Sequence, residues 1–265
     1  MRRRTVVSSV VLTLAIAGCD TDRVAAPGDK PAAIEAQAAP RAGFQVVKAS
    51  GDVDVRAAVA QFQALLGDPS NGITPGQQER GRREISWDGV PPELTNTDAL
   101  PADQFFRNGL IYTIVGSGLR ITDNDFADIN PTYADQFATF SPPKTFSPIG
   151  SPVSEVTFRV AGSSTPAAVT GFGVVFSDVD RVGAASIKLF SADGHSLGQY
   201  QAPVRTDANG FSFVGVVFED PIVARVVVSS GQAPLARGVL DVSDGGNRDL
   251  VVFDDLLFGE PHASD

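Results

Sequence analysis

The stretch Asp249–Pro261, DLVVFDDLLFGEP, decides the fold. Leu250–Phe253 and Leu256–Phe258 are apolar on both alternating faces, the pattern of a strand buried between two layers. Asp254 and Asp255 interrupt that run, and on a regular strand they point to opposite faces. A carboxylate withdrawn from water needs a cation or several hydrogen-bond donors, so the pair must be answered from elsewhere in the chain. Gly259-Glu260-Pro261 ends the strand, and a short polar tail follows.

Upstream, short strands alternate with turns. Val153–Val160 places Val156, Phe158 and Val160 on one face and Glu155, Thr157 and Arg159 on the other. Gly171–Phe176 and Phe211–Phe218 are apolar throughout and read as central strands. Ala185–Phe190 and Leu197–Ala202 flank Asp193-Gly194, a strong hairpin signal. Leu110–Val115 and Leu119–Thr122 flank the turn Gly116-Ser117-Gly118, and Glu84–Asp88 and Ile222–Ser229 read as further strands. With few helices, this spacing predicts an all-β jelly-roll sandwich over residues 82–261, its first strand lying beside its last. One amphipathic helix is predicted over residues 52–67, where Val55, Ala58, Val59, Phe62, Leu65 and Leu66 recur at helical spacing. Asp52 or Asp54 is placed to cap it and Gly67 to end it; Asp68–Gly81 reads as a linker.

Residues 1–18 read as a targeting segment: Arg2, Arg3 and Arg4 precede an apolar run too short to span a bilayer. The run closes on Ile16-Ala17-Gly18-Cys19, which resembles the bacterial lipobox and implies diacylglycerol on Cys19. Cys19 is the single cysteine of the chain, so it has no internal disulfide partner. Residues 19–45, rich in Ala, Pro and Asp at first, read as a disordered tether. The expected protein is therefore exported and held by lipid at the cell envelope, with the membrane and leaflet left open. Removing residues 1–18 leaves 18 basic against 31 acidic residues, a formal charge of −13, which disfavours nucleic acid as a partner.

The segments RREISWDGVP, INPTYADQF, TGFGVVFSDVD, GFSFVGVVF and VVFDDLLFGEP, in this order, resemble a family of uncharacterised bacterial exported proteins. The resemblance covers about Gly81–Pro261, and V-V-x-D-D-x-x-x-G-E-P is its most specific piece. It implies a galactose-binding-like jelly roll, the superfold of many carbohydrate-binding and adhesion modules. It also implies that an Asp of the last strand helps to hold a structural calcium ion, here Asp255 with Asp254, and with Glu84 or Asp88 on the adjoining strand. The other answer to the pair is loop amides, or Arg82 or Arg83.

His-dependent catalysis is disfavoured, since His195 falls in the hairpin turn and His262 near the C-terminus. Glu84 with Asp88, Asp178 with Asp180, and Asp254 with Asp255 supply paired carboxylates of the type a glycosidase uses. Asp123-Asn124-Asp125 with Asp128 looks like a calcium loop but lacks the glycine and distal glutamate at the required spacing. Trp87, Tyr112, Tyr133 and Tyr200 are the candidate sugar platforms; Trp87, between Ile85 and Gly89, reads first as a core residue, and Tyr133 is expected to be exposed in its loop. The expected function is a non-catalytic binding or adhesion module for glycan or an envelope protein. The alternatives are a polysaccharide hydrolase using an Asp/Glu pair and a purely structural envelope protein.

Overall fold

The sheet that contains the last strand is covered on both sides, by a second sheet and by a helix, and this is why its strands are apolar on both faces. The computed structural model describes residues 43–207 and 210–264. The targeting segment, Cys19 and residues 19–42 of the expected tether lie outside them. In chain order the strands begin with β1 (Phe44–Ser50), β2 (Arg82–Ile85), β3 (Leu110–Thr113), β4 (Gly118–Thr122) and β5 (Thr145–Ile149). There follow β6 (Val153–Arg159), β7 (Pro166–Ala168), β8 (Gly171–Ser177), β9 (Ala185–Phe190) and β10 (Ser196–Gln201). The last are β11 (Phe211–Phe218), β12 (Arg225–Ser230), β13 (Val252–Gly259) and β14 (His262–Ala263). The helix α1 spans Asp52–Leu66.

One antiparallel sheet runs β1-β11-β8-β13-β5-β4, with β2 also on β13; the other runs β10-β9-β12-β6-β7-β14, with β3 on β6. From β8 onward the chain alternates between the sheets, apart from the β9–β10 hairpin at Asp193-Gly194. This is the jelly-roll manner of joining two layers, and the chain is an all-β sandwich. The first strand of the sandwich does pair with the last, Ile85 opposite Leu256. It is shorter than expected, because Trp87 takes φ +67° and turns the chain, so Asp88 shares no strand face with Glu84. The turn at Gly116–Gly118 joins strands of different sheets, not a hairpin.

Inner-face side chains Phe172, Val174 and Phe176 of β8, Val214 and Val216 of β11, and Leu256 and Phe258 of β13 meet Val156, Phe158, Val226 and Val228 of the other sheet. On the outer face, Val55, Ala58, Val59, Phe62 and Leu66 of α1 pack on Val47, Val175, Phe213, Val217 and Leu257. The expected tether thus ends early: Phe44 and Gln45 belong to β1, whose pairing with β11 helps to seat the helix. Neither Asp52 nor Asp54 caps α1; both lie in its first turn, and Gly51 at φ +92° precedes it. Phe62 reaches the sheet because Gly173 and Gly215, cross-strand partners, leave room for its ring. A Cβ on Gly173 would stand 2.7 Å from Phe62 Cε1 and 2.9 Å from Phe213 Cζ, both fully buried. Gly173→Ala should therefore cost about 1–3 kcal/mol, read as a lower urea midpoint at unchanged slope.

The expected linker 68–81 is held in place. Arg83, fully buried, donates Nε and Nη2 to the two carboxylate oxygens of Glu260 at 2.8 and 2.7 Å, and Nη1 to Gly72 O at 2.8 Å. Glu260 also accepts from Asn71 Nδ2 and from Gln78 N. The GEP end of the last strand thus carries the acid of a buried ion pair around which this segment is wrapped.

Candidate functional site

The connections β3–β4, β5–β6, β8–β9 and β12–β13 meet at one end of the sandwich. β8 reaches it at Ser177, and Asp178 turns the chain with φ +72°, a conformation that Asp tolerates better than most residues. Asp178 is fully buried; Gln136 Nε2 donates to its Oδ2 at 2.8 Å. Arg205 Nη2 stands 2.9 Å from Asp178 Oδ1, an ion contact outside hydrogen-bond geometry, while Arg205 Nε donates to Asp180 Oδ1 at 2.6 Å.

The β12–β13 connection brings two more carboxylates. Asp241 Oδ2 accepts from Ser243 N and Oγ, both at 2.6 Å, and its Oδ1 accepts from Leu250 N at 2.6 Å. Asp249 Oδ2 accepts from Asp180 N at 2.9 Å and Arg181 N at 2.6 Å. Both residues are fully buried. Single ligand atoms of Asp178, Asp180 and Asp241 lie within 4.8 Å of one another, which no other trio of Asp, Glu, His or Cys achieves among the described residues. Burial pushes Asp178 up to about 7, against the Gln136 hydrogen bond and the Arg205 charge. It lifts Asp249 to about 6, against the Arg181 and Asp180 amides.

Tyr133 is buried, contrary to the expectation of an exposed sugar platform. Its hydroxyl donates toward Val239 O at 2.8 Å and lies 3.1 Å from Ala236 O, so the ring packs under the connection that carries Asp241. A phenol in a loop can bury its ring where backbone carbonyls satisfy the hydroxyl. Trp87 lies in the core, as its place between Ile85 and Gly89 suggests: it is buried, stacked on Phe146 at 4.6 Å and edge-on to Phe105 at 5.3 Å.

From Gln136 the chain continues along the outer face, Ala138 N donating to Ser177 Oγ at 2.9 Å, and reaches the carboxylates of β13. Opposite β8, Phe253 pairs with Phe176 and Leu256 with Val174, so two residues face Val175 alone. This bulge overturns the expectation that Asp254 and Asp255 point to opposite faces: both meet Ser141 on the helix side. Asp254, fully buried, accepts from Phe140 N at 2.6 Å and Ser141 N at 3.2 Å, and Ser141 Oγ lies 2.5 Å from Asp255 Oδ1. Burial, then the adjacent Asp255 charge, push Asp254 up to about 9. Burial also raises Asp255, against hydrogen bonds from Ser141 and Asp254, and with the charges of Asp88 and Glu84 adding to it. The pair is thus answered by loop amides and a shared proton. Glu84 accepts from Arg82 and from Gln63 of α1. Asp255, Asp254, Glu84 and Asp88 are neighbours, yet they do not converge as a calcium ligand set, and the two oxygens of Asp254 already have donors.

Other acidic positions have protein partners too. Asp128 pairs with Arg120 and Asp123 accepts from Asn96, so that loop is a polar turn. In the β9–β10 turn, Ser191 and His195 both bind the Asp193 carboxylate, which lies below its usual pKa, at about 2, through these hydrogen bonds. Serine and imidazole are therefore joined through the acid, which is not the order of a nucleophile–base–acid relay. Asp193 borders a shallow hollow of about 430 Å³ with Ile222, Pro221 and Ser264.

Asp178 and Asp180 were visible as strand-end carboxylates, and Asp249 opens the stretch that set the fold. Asp241 carries only a local signal, the Asp-Val-Ser turn it caps through Ser243 N. No family model matches this chain, and no curated protein does. A solved structure that matches is the enzymatically active domain of bacteriophage CBA120 tailspike protein 4, at a TM-score of 0.29 and 13% identity. The match covers 64% of this chain and 22% of that one, so the chain spans about a fifth of the tailspike domain's length.

Proposed function

We propose that this chain is a non-catalytic binding module of the bacterial cell envelope, anchored by acyl chains on Cys19 and meeting a glycan or an envelope protein at the loop end of the sandwich. The observation that carries the reading is where apolar surface is left uncovered. Of seven exposed large apolar residues among those described, four lie on the connections at this end: Ile114, Val115, Val182 and Leu240. Val182, 82% exposed, follows Arg181, whose amide is tied to Asp249, and Leu240 precedes the buried Asp241. Asp249 and Asp241 thus fix the backbone beside Val182 and Leu240, as a preformed recognition surface requires.

The rival hydrolase would draw on a carboxyl of raised pKa. Asp178, Asp249 and Asp254 have one but are fully buried, and a general acid must reach the glycosidic oxygen. A glycan array with the purified chain, run beside reducing-sugar release from polysaccharides, separates the two readings. Binding should weaken at least about tenfold when Val115 and Val182 are both changed to Asp, because buried charge is costly at an apolar contact. Turnover that falls on replacing a single carboxylate would establish the rival. Silence in both assays would leave a protein partner. Mass spectrometry of the N-terminal peptide should find acylated Cys19, and an unmodified thiol there would end the envelope anchor.

A further inference from the structure

We infer that the uncovered face of the second sheet binds an acidic polysaccharide, a chain of carboxylate-bearing sugars of the polyuronate class, along a diagonal of three cations: Lys188, Arg225 and Arg159. The helix α1 covers the outer face of the first sheet. On the second, alternate residues of β6 and β12, with Lys188 and Phe190 of β9, stay partly exposed while their neighbours fill the core. Strand register sets the diagonal. Lys188 stands opposite Val227 of β12; Arg225, two residues before Val227, stands opposite Thr157 of β6; Arg159 lies two residues beyond Thr157. Each cation is thus one strand over and two residues along from the last, roughly 8 Å between Cα positions on an ideal sheet. Carboxylates recur along an extended polyuronate, and Lys and Arg arms are long enough to follow them.

Charge complementarity names the occupant. The chain carries a formal charge of −10, yet the one acid on β3, β6, β9, β10 and β12 is Glu155, and Arg225 Nη1 already donates to it at 2.7 Å. Asp193, in the turn after β9, is held by Ser191 and His195. Lys188 and Arg159 pair with no carboxylate among the described residues; Arg159 Nη1 donates to Phe158 O at 2.9 Å. The fold also gathers two of these cations at one point. The Arg225 guanidinium lies 3.7 Å from the centroid of the half-buried Phe190 ring, and Lys188 Nζ lies 5.2 Å from the same centroid. Phe190 and Glu155 hold the Arg225 fork in place before any ligand arrives. Two cations thus share one ring and one acid, a local excess that an incoming carboxylate offsets. Thr157 and Gln199, opposite Arg225 and Lys188 in register, add a hydroxyl and an amide of the kind that meets sugar hydroxyls. None of the seven exposed large apolar residues lies on these strands, which disfavours a lipid bilayer or an apolar protein surface as the occupant.

This face is separate from the loop end, and the inference does not depend on what that end binds. The test titrates the full chain by calorimetry with sodium polygalacturonate, and with its methyl ester, which keeps the backbone and loses the charge. The acid should bind at low salt and the ester should not. Between about 0.01 and 0.1 M salt, where the screening length falls from about 30 to about 10 Å, affinity should drop at least about tenfold. Lys188→Gln with Arg159→Gln removes two partly exposed charges; it should melt within about 2 °C of the parent and bind about tenfold more weakly. Lys48→Gln with Arg237→Gln, exposed cations elsewhere, should keep the affinity within about twofold. No binding of the acid, equal binding of the ester, an undiminished affinity in the Lys188 and Arg159 variant, or an equal loss in the control would each overturn the site. So would a preference for vesicles of anionic phospholipid over polygalacturonate. Binding lost on Val182→Asp but kept in the sheet variant would also overturn it, and would place the ligand at the loop end instead.

Discussion

Glu260→Gln should lower the stability of this protein by about 3–5 kcal/mol, the cost of leaving one member of a buried ion pair uncompensated. Arg83 is completely buried and presents its fork to both oxygens of Glu260, so the amide keeps one acceptor and sets an NH2 group against a guanidinium N–H. For a folded region of this size, that loss corresponds to a melting temperature roughly 6–20 °C lower. Arg83→Met should cost as much, because Glu260 then keeps only Asn71 and Gln78 as donors while Gly72 O loses its partner. The double variant, Arg83→Met with Glu260→Met, should fall short of the sum of the two by at least about 2 kcal/mol, since no lone charge remains buried. Additive single effects, or single variants that melt within 2 °C of the parent, would show that the pair is not what closes residues 69–81 onto the sandwich.

This ion pair also marks where the sequence ceased to be legible. The two-sided apolar runs of β8, β11 and β13 announce a sheet covered on both faces, and α1 was plain from its spacing, because both signals are periodic and local. Arg83 and Glu260 are 177 residues apart, and nothing in either segment says that one charge neutralises the other. The same holds for the carboxylates. Asp254 and Asp255 stand out in their apolar run, but a bulge of one residue puts both on the same side, and a bulge leaves no signature in such a run. The burial of Tyr133 is hidden for a related reason: a loop residue exposes its ring unless another loop crosses above it, and that crossing, by residues 233–239, is tertiary. β1, of which the expected tether takes Phe44 and Gln45, carries no strand signal of its own, because a single edge strand ahead of the helix has no turn partner beside it in sequence.

Between pH 5 and pH 8 the protein should lose stability, and Asp254→Asn should remove about 4 kcal/mol of that loss. The sign follows from proton binding. An unfolded aspartate titrates near 3.9, whereas Asp254 holds its proton in the folded chain up to about 9. Across this window the native state binds one proton more than the unfolded state, so raising the pH favours unfolding by about 1.4 kcal/mol per unit at most. The contribution is complete below the unfolded pKa and is lost as the pH climbs toward the folded one. The charge that bears on Asp254 is that of Asp255, which in turn faces Asp88 and Glu84, all acidic, with Arg82 engaged by Glu84 and Asp68, and Arg56 resting on the Phe140 ring. The local field therefore favours the protonated acid. An amide at position 254 can still accept from Phe140 N and Ser141 N through its oxygen and donate to Asp255 through its nitrogen, which reproduces the protonated form without its titration. Asp178 and Asp249, raised to about 7 and about 6, contribute a slope of the same sign that the substitution leaves in place and that fades as the pH passes those values. Urea unfolding at pH 5, 6.5 and 8 measures this directly. The variant should match the parent within about 1 kcal/mol at pH 5 and exceed it at pH 8; parallel curves would mean that Asp254 is ionised in the native protein and that its backbone donors suffice to hold the charge.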